Sequence, residues 1–397
     1  MLELLKQALA SHRYALRLDN DNAEILYNTA QVMISIAEYV TDAGTPSSDA
    51  VLLLQEALEL LSACFTRQES LREEQRLQFA DDTDGGVSLT QENAPISDDS
   101  FDMEDSDPIE QSATIQVPIT PVDLLDTARA SLNALTLLVS IEDPSKLPPL
   151  AKMGETLINE KLPQYLSEID GDAKAELEVD LALGRAEFIA ALAISELKSH
   201  TSSLTDTLTR LQTFETLNLT TGVEAMCTYA DALVEFVTTA QTFAASAAGA
   251  TSTCWTQLTK AQDLYNRAIK INNEVSRERK AQIYESRGDV ELLRLGVATS
   301  GSEEISASTK ASAPTLVKNA QTYYRGAANL FKAQGETDAS RKAEIRGLIA
   351  AAVEGRMSGQ VNEQLATLRQ NIGEAAAVAG DMAREGLLPG DLGNLLL

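Results

Sequence analysis

The side chains that most often perform catalysis or bind metals are scarce in this chain of 397 residues. It contains two histidines, His12 and His200, and three cysteines, Cys64, Cys227 and Cys254, and the thiols are too far apart in sequence to form a Cys-x2-Cys motif. The sequence also has no His-Glu-x2-His, no Gly-x-Ser-x-Gly and no phosphate-binding Gly-x4-Gly-Lys motif. We therefore predict that the protein is not an enzyme and uses no cofactor or metal.

Acidic side chains are the chemically distinctive feature of the sequence. The formal net charge is −27, and residues 77–128 hold 13 acidic and no basic side chains, which is about half of the excess. This stretch lacks helical periodicity and is rich in Asp, Ser, Thr, Pro and Gly, so we predict a disordered acidic insertion over 77–120. It could be a solvated linker, a docking segment for a basic partner, or a pseudo-ligand for the slightly basic region 260–356. Its candidate partner-binding residues are Asp98, Asp99, Asp102, Glu104, Asp105 and Asp107.

The composition excludes several classes of protein. Hydrophobic residues make up 44 % of the chain, enough for a large core, and aromatic residues only 5 %, which favours helices over a β-sandwich. Net acidity argues against direct nucleic-acid binding, because phosphate contacts need clustered Lys and Arg. The sequence shows no secretory signal and no uninterrupted apolar run of membrane-spanning length, so we expect no membrane association. Few cysteines favour a reducing compartment, which we predict to be the cytoplasm, with the nucleus as an alternative.

Apolar residues recur at three- and four-residue spacing through most of the remaining chain, which predicts an all-α fold of paired helices. The pattern divides the chain into N-terminal helical repeats (1–76), the acidic insertion (77–120), a helical-repeat solenoid (121–356) and a C-terminal capping helix with a tail (357–397). The predicted helices cover residues 2–18, 22–42, 48–76, 121–141, 148–167, 172–199, 202–216, 222–246, 252–274, 277–297, 314–334, 338–356 and 360–385.

Three of these helices share a frame in which two small residues flank a ring-bearing side chain. The frame resembles the second helix of the tetratricopeptide repeat, where small residues let two helices approach closely and the ring fills the space between them. Three further segments resemble the first helix of that repeat. The second-helix positions are Ala8, His12 and Ala15; Ala261, Tyr265 and Ala268; and Ala320, Tyr324 and Ala327. The first-helix positions are Leu26, Thr29, Ala30 and Met33; Asp180, Leu183, Gly184 and Glu187; and Tyr284, Arg287, Gly288 and Glu291.

The resemblance implies a tetratricopeptide-repeat-like α-solenoid whose first helices line a concave groove. Acidic residues dominate the positions that it assigns to the groove, and two aromatic rings are available there as anchors. We therefore predict that the groove binds a basic protein segment. Carried over position by position, the groove-facing residues are Glu24, Tyr27 and Gln31, then Glu178, Arg185 and Phe188, and finally Glu285 and Asp289.

These features favour a binding scaffold or chaperone that shields a basic client protein. Helical repeats combined with net acidity are similar to the dedicated chaperones of ribosomal proteins in fungi, and this resemblance implies a ribosomal-protein client. A repeat-type histone chaperone and a structural or adaptor subunit of a larger complex are the alternatives. A co-chaperone for acidic protein tails is disfavoured, because Glu285 and Asp289 would repel such a tail. The sequence leaves the client and the oligomeric state open.

Overall fold

The computed structural model describes residues 1–42, 48–81, 118–357 and 372–388. Within these ranges the chain forms helices and turns and no β-strand, which confirms the predicted all-α fold class. The helices are α1 (Leu2–Leu18), α2 (Ala23–Asp42), α3 (Ser48–Asp81), α4 (Pro121–Ile141), α5 (Leu147–Thr156), α6 (Leu162–Leu166), α7 (Asp172–Lys198), α8 (Leu204–Leu211), α9 (Val223–Phe243), α10 (Ala250–Ala268), α11 (Glu274–Glu278), α12 (Lys280–Thr299), α13 (Ala307–Ala311), α14 (Ala313–Gln334), α15 (Thr337–Met357) and α16 (Ile372–Arg384).

The helix before the predicted acidic insertion extends further than the sequence suggested, and the helix after it starts at the predicted residue. The helix α3 continues to Asp81, because the residues after Arg76 include good helix formers that prolong the backbone ladder. At the other end, the Thr120 hydroxyl accepts a hydrogen bond from the Asp123 amide at 3.3 Å, and the Asp123 carboxylate accepts one from the Thr120 amide at 2.7 Å. This capping box starts α4. Residues 82–117 lie outside the described residues.

Other predicted boundaries differ by a turn or by a local break. The helix predicted over 148–167 is a rod in which a π-helical turn at Leu157–Lys161 joins α5 to α6. The helix predicted over 252–274 ends at Ala268, and the Asn273 side chain then caps the short α11 by accepting from the Ser276 amide at 2.8 Å. Of the C-terminal helix predicted over 360–385, the described part is α16.

Consecutive helices pack in adjacent pairs, which gives a solenoid-like stack. The close pairs are α2 with α3, α9 with α10, α12 with α14 and α14 with α15, and α3, α4 and α7 link the N-terminal pairs to the rest. The helix α7 contributes to two cores: Leu181 and Phe188 belong to the N-terminal core, and Ala186 and Ala193 belong to the C-terminal one. Among the described helices, α4 alone is long and apolar enough to cross a bilayer, and 56 % of its most apolar window is buried inside the fold.

Glycines set the closest helix contacts, as the repeat frame predicts. A methyl group added at Gly288 in α12 would lie 2.6 Å from the Tyr324 ring in α14. Reciprocally, a methyl group at Gly326 in α14 would lie 2.9 Å from the Tyr284 ring in α12. Each helix therefore offers a gap that receives a ring from the other, and this fixes both the spacing and the register of the pair.

Candidate peptide-binding groove

Four helices, α2, α4, α7 and α9, place polar side chains along one face of the stack. A cavity of ≈ 630 Å³ lies between α2, α3 and α4, and one of ≈ 380 Å³ lies between α2, α4, α7 and α9. Tyr27 and Asp126 line both cavities, so the two adjoin at these residues. We call this surface the acidic groove; its principal residues are Glu24, Tyr27, Gln31, Asp126, Arg129, Asp180, Glu187 and Glu224.

Helical periodicity explains why these residues share a face. Glu24, Tyr27 and Gln31 follow one another at spacings of three and four residues, so their side chains lie above one another on α2. A different face of α2 carries Leu26 and Met33, which are buried. Burial of that face against the neighbouring helices turns the polar face toward the groove.

Carboxylates greatly outnumber cations in the groove. Eight acidic side chains and two arginines line the two cavities. Arg129 lies 3.5 Å from the Asp126 carboxylate and 3.4 Å from that of Asp180, and it is half-exposed, so it screens only part of this charge. The groove therefore carries a negative potential that attracts basic segments. The acidic residues are Asp19, Asp21, Glu24, Asp123, Asp126, Asp180, Glu187 and Glu224, and the arginines are Arg67 and Arg129.

Glu187 is the least compensated of these carboxylates. Its side chain makes no hydrogen bond or ion pair with any residue that the structure describes. The pKa of Glu187 is raised to about 7, chiefly by burial and also by repulsion from Glu224, while Arg279 opposes both. Glu224 is itself paired with Arg279 at 2.7 Å. Burial also raises the pKa of Asp126. The site thus holds half-buried acids whose charged forms would be stabilised by an incoming cation.

The N-terminal residues that the sequence assigned to the groove lie there, but those on α7 do not. Glu24, Tyr27 and Gln31 line the cavities. Phe188 is 1 % exposed in the core, where its ring fills the gap beside Gly154, so its assignment to the groove was wrong. Arg185 and Glu178 are exposed on α7. Both lie roughly half a turn around the helix from the groove residues Asp180 and Glu187, so Arg185 and Glu178 also face away from the groove.

The error on α7 has a simple physical cause. The sequence frame used Gly184 as the small residue at the helix contact, whereas the core face of α7 is formed by Ala186, Ala190 and Ala193. Gly184 instead lines the groove, where a methyl group added to it would meet only Leu132, at 3.9 Å. A glycine in a helix marks a close contact only when it lies on the buried face.

Glu285 and Asp289, the two predicted groove acids on α12, are brought together around one arginine. The Arg346 guanidinium of α15 lies 2.7 Å from Asp289, 3.6 Å from Glu285 and 2.9 Å from Glu385. The Tyr324 hydroxyl also donates to Asp289 at 2.6 Å. These carboxylates are therefore already satisfied within the chain. We call this group the Arg346 cluster.

The remaining predicted partner-binding residues have no structural description. Asp98, Asp99, Asp102, Glu104, Asp105 and Asp107 lie outside the described residues.

Sequence reasoning missed the groove residues on α4 and α9, although a signal for them exists. The spacing of Glu24, Tyr27 and Gln31 recurs in α4 as Asp126, Arg129 and Asn133, and in α9 as Glu224, Cys227 and Asp231. The apolar positions two residues after the first member of each set are buried, as at Leu26, Ala128 and Met226. Alignment of the polar face, rather than of the small residues, would have found these helices.

No protein-family model, curated protein or solved structure matches this chain. The shape and the charge of the acidic groove therefore carry the functional argument.

Proposed function

We propose that the protein is a non-enzymatic scaffold or chaperone that binds an extended basic segment of a client protein in the acidic groove. The observation that carries this proposal is that eight carboxylates and only two arginines line two adjoining cavities. A client segment rich in Lys and Arg would supply the missing positive charge. While bound in the groove, this segment could not associate with other copies of the client. A ribosomal protein before its assembly is the client class that we favour, with histones as the alternative basic clients.

The chemistry of the groove suits an extended peptide. Tyr27 offers a half-buried ring on which a cationic side chain can rest. Gln31 and Asn133 bring amide groups that can pair with a peptide backbone. Glu187 and Glu224 provide a pocket for one cation at the α7–α9 end. The arrangement thus combines charge, stacking and backbone recognition without any catalytic group.

The repeat type belongs to the same proposal. Tyr265 and Tyr324 occupy the ring position of the second-helix frame and are buried, and the flanking Ala261 and Ala320 are fully buried. Gly288 meets the Tyr324 ring as the first-helix frame requires. These contacts support a tetratricopeptide-like architecture, in which the concave face commonly binds peptides.

Binding of a fluorescent Lys- and Arg-rich peptide of about 20 residues, sufficient to span several helices when extended, tests the proposal. We expect the triple variant Asp126→Asn, Asp180→Asn, Glu187→Gln to weaken binding by about tenfold or more, because each lost charge pair contributes a fraction of a kcal/mol to more than one kcal/mol. The matched control is Glu178→Gln, which removes an exposed acid from the opposite face of α7. Equal weakening by the control would show that only net charge matters, and unchanged binding in the triple variant would refute the groove.

A further inference from the structure

The first helix, α1, carries apolar residues on two opposite faces. Leu2, Leu5 and Leu9 pack against the N-terminal core. Leu4 and Leu18 point the other way and are 67 % and 72 % exposed. Packing against the core therefore accounts for the apolar residues on only one face of α1.

An apolar stripe is unusual on the solvent-facing side of a helix. A surface helix normally presents polar side chains to water and apolar ones to the core. Here the outer face of α1 has Leu4, Ser11 and Leu18 at seven-residue spacing, with half-buried Ala8 and Ala15 beside them. Exposed apolar surface of this kind marks an interaction site.

The order of residues along this face is symmetric about Ser11. Leu4 and Leu18 each lie seven residues from it, and the small side chains near the centre would let a second helix approach closely. In an antiparallel pair of α1 helices related by a twofold axis at Ser11, Leu4 of one copy meets Leu18 of the other. A self-complementary surface is what an isologous dimer requires.

Charge on the flank of the same face agrees with this pairing. Glu3 and Arg17 lie on one side of the stripe, near opposite ends of α1, and neither forms an ion pair with any residue that the structure describes. An antiparallel arrangement places Glu3 of each copy near Arg17 of the other, so two ion pairs form across the twofold axis. In a parallel pair, Glu3 of one copy would lie at the height of Glu3 of the other and on the opposite flank, so this ion pair would not form.

We propose that α1 is a homodimerisation helix, which packs antiparallel against α1 of a second copy of this chain about a twofold axis at Ser11. The interface is one helix pair, so we expect a weak dimer with Kd on the order of 1–10 µM. This inference is independent of the acidic groove, because α1 contributes no residue to the two cavities.

Sedimentation equilibrium of the full chain tests the dimer. We expect the wild type to reach a dimeric mass at about 100 µM, and the variant Leu4→Glu, Leu18→Glu to stay monomeric, because like charges would then face each other. Val179→Glu, which changes an exposed apolar residue on α7, is the control and should still dimerise. A monomeric wild type, as expected if a different protein or a longer N-terminal segment covers α1, would overturn the proposal, as would a dimer that survives the double variant.

Two further variants test the geometry. Glu3→Arg or Arg17→Glu alone should weaken the dimer, and the two combined should restore it. Ser11→Cys should react across the axis with a short bis-maleimide, whereas Val179→Cys should not, and the three native cysteines are buried. Circular dichroism verifies that each variant is folded. Absence of rescue by the charge swap, or of linkage at position 11, would refute the antiparallel pairing.

Discussion

Two carboxylates with raised pKa values, Glu187 and Glu285, differ in the charge of their nearest neighbours. Burial raises the pKa of each to about 7. Arg346 lies 3.6 Å from Glu285 and offsets part of that effect, whereas Glu187 has Glu224 as a repelling neighbour and no direct partner among the described residues. The first acid belongs to an internal cluster, and the second is left for an external cation. This contrast separates structural acids from candidate binding acids.

Glu187→Gln should stabilise the protein at about pH 8 but not at about pH 5. The pKa of Glu187 is about 7 in the folded protein and near 4.5 when unfolded, so the folded state binds the proton more tightly. Stability is therefore lost as the pH rises from 4.5 to 7, and the substitution removes this loss. After discounting for solvent access, we expect a gain of about 1–2 kcal/mol at the higher pH.

Urea unfolding of both proteins at the two pH values measures this difference. Glu178→Gln, in which an exposed acid is changed on the same helix, serves as the control and should give no such pH-dependent gain. A gain from Glu187→Gln that is equal at both pH values would contradict the assignment of the pKa shift.

Arg346→Met should destabilise the protein by about 3 kcal/mol or more, because Asp289 and Glu285 would lose their cation while remaining mostly buried. Arg325→Met, at an exposed position on α14, is the comparison. Thermal unfolding followed by circular dichroism gives both values. Similar unfolding temperatures for the two variants would show that the Arg346 cluster contributes little.

At the scale of single residues, the sequence predicted some helix-contact residues correctly and misassigned Gly184. The small and ring positions of α10, α12 and α14 were predicted correctly, because burial of those residues follows from size alone. Gly184 was misassigned, since glycine also occurs on a helix face that lines a groove. The raised pKa of Glu187 could not be predicted, because it arises from burial in the folded chain and from the approach of Glu224 on α9.

At the scale of helices, the pair α12 and α14 shows most clearly how side chains set the distance between two packed helices. Gly288→Ala should destabilise the protein by about 1–3 kcal/mol, because the new methyl group would lie within 2.6 Å of the Tyr324 ring, which is itself fully buried. Gly296→Ala in the same helix meets nothing within 4 Å and should stabilise it by up to about 1 kcal/mol. Chemical denaturation of the two variants should therefore give effects of opposite sign. Destabilisation by both would contradict the packing argument, because Ala is the better helix former and Gly296 has free space around it.

The sequence predicted which segments form helices more reliably than it predicted where each helix begins and ends. The repeating apolar spacing identified the long helices, including α1, α4 and α14, to within a residue at each end. The π-helical turn Leu157–Lys161 and the early end of α10 were not evident, because both depend on tertiary contacts and on local hydrogen bonds. The start of α4 was predicted correctly, and the capping box at Thr120 gives it a local physical cause.

For the whole molecule, the proposed function predicts a strong dependence of client binding on ionic strength. The attraction between the acidic groove and a basic segment acts over several ångströms through solvent, so added salt should screen it. We expect the Kd for a basic peptide to rise about tenfold between roughly 50 and 300 mM NaCl, with most of the change in the association rate. A salt-independent Kd would contradict electrostatic recognition.

Net charge alone gave an incomplete description of the whole molecule. The overall −27 predicts attraction to basic partners, but it does not show where that attraction acts. In the described residues, the groove in the N-terminal half has more acids than arginines, whereas Glu285 and Asp289 in the C-terminal half share Arg346 as an internal cation. The position of a charge relative to its neighbours, which folding decides, separates these two halves.

The reciprocal fit of Gly288 with Tyr324, and of Gly326 with Tyr284, also limits how this chain can diverge over evolutionary time. A larger residue at either glycine is tolerated only when the facing ring becomes smaller in the same lineage. The two positions of each pair should therefore covary among homologues, although 36 and 42 residues separate them along the chain. A single substitution at this junction leaves an intermediate of reduced stability, so the junction should change more slowly than the exposed faces of the same helices.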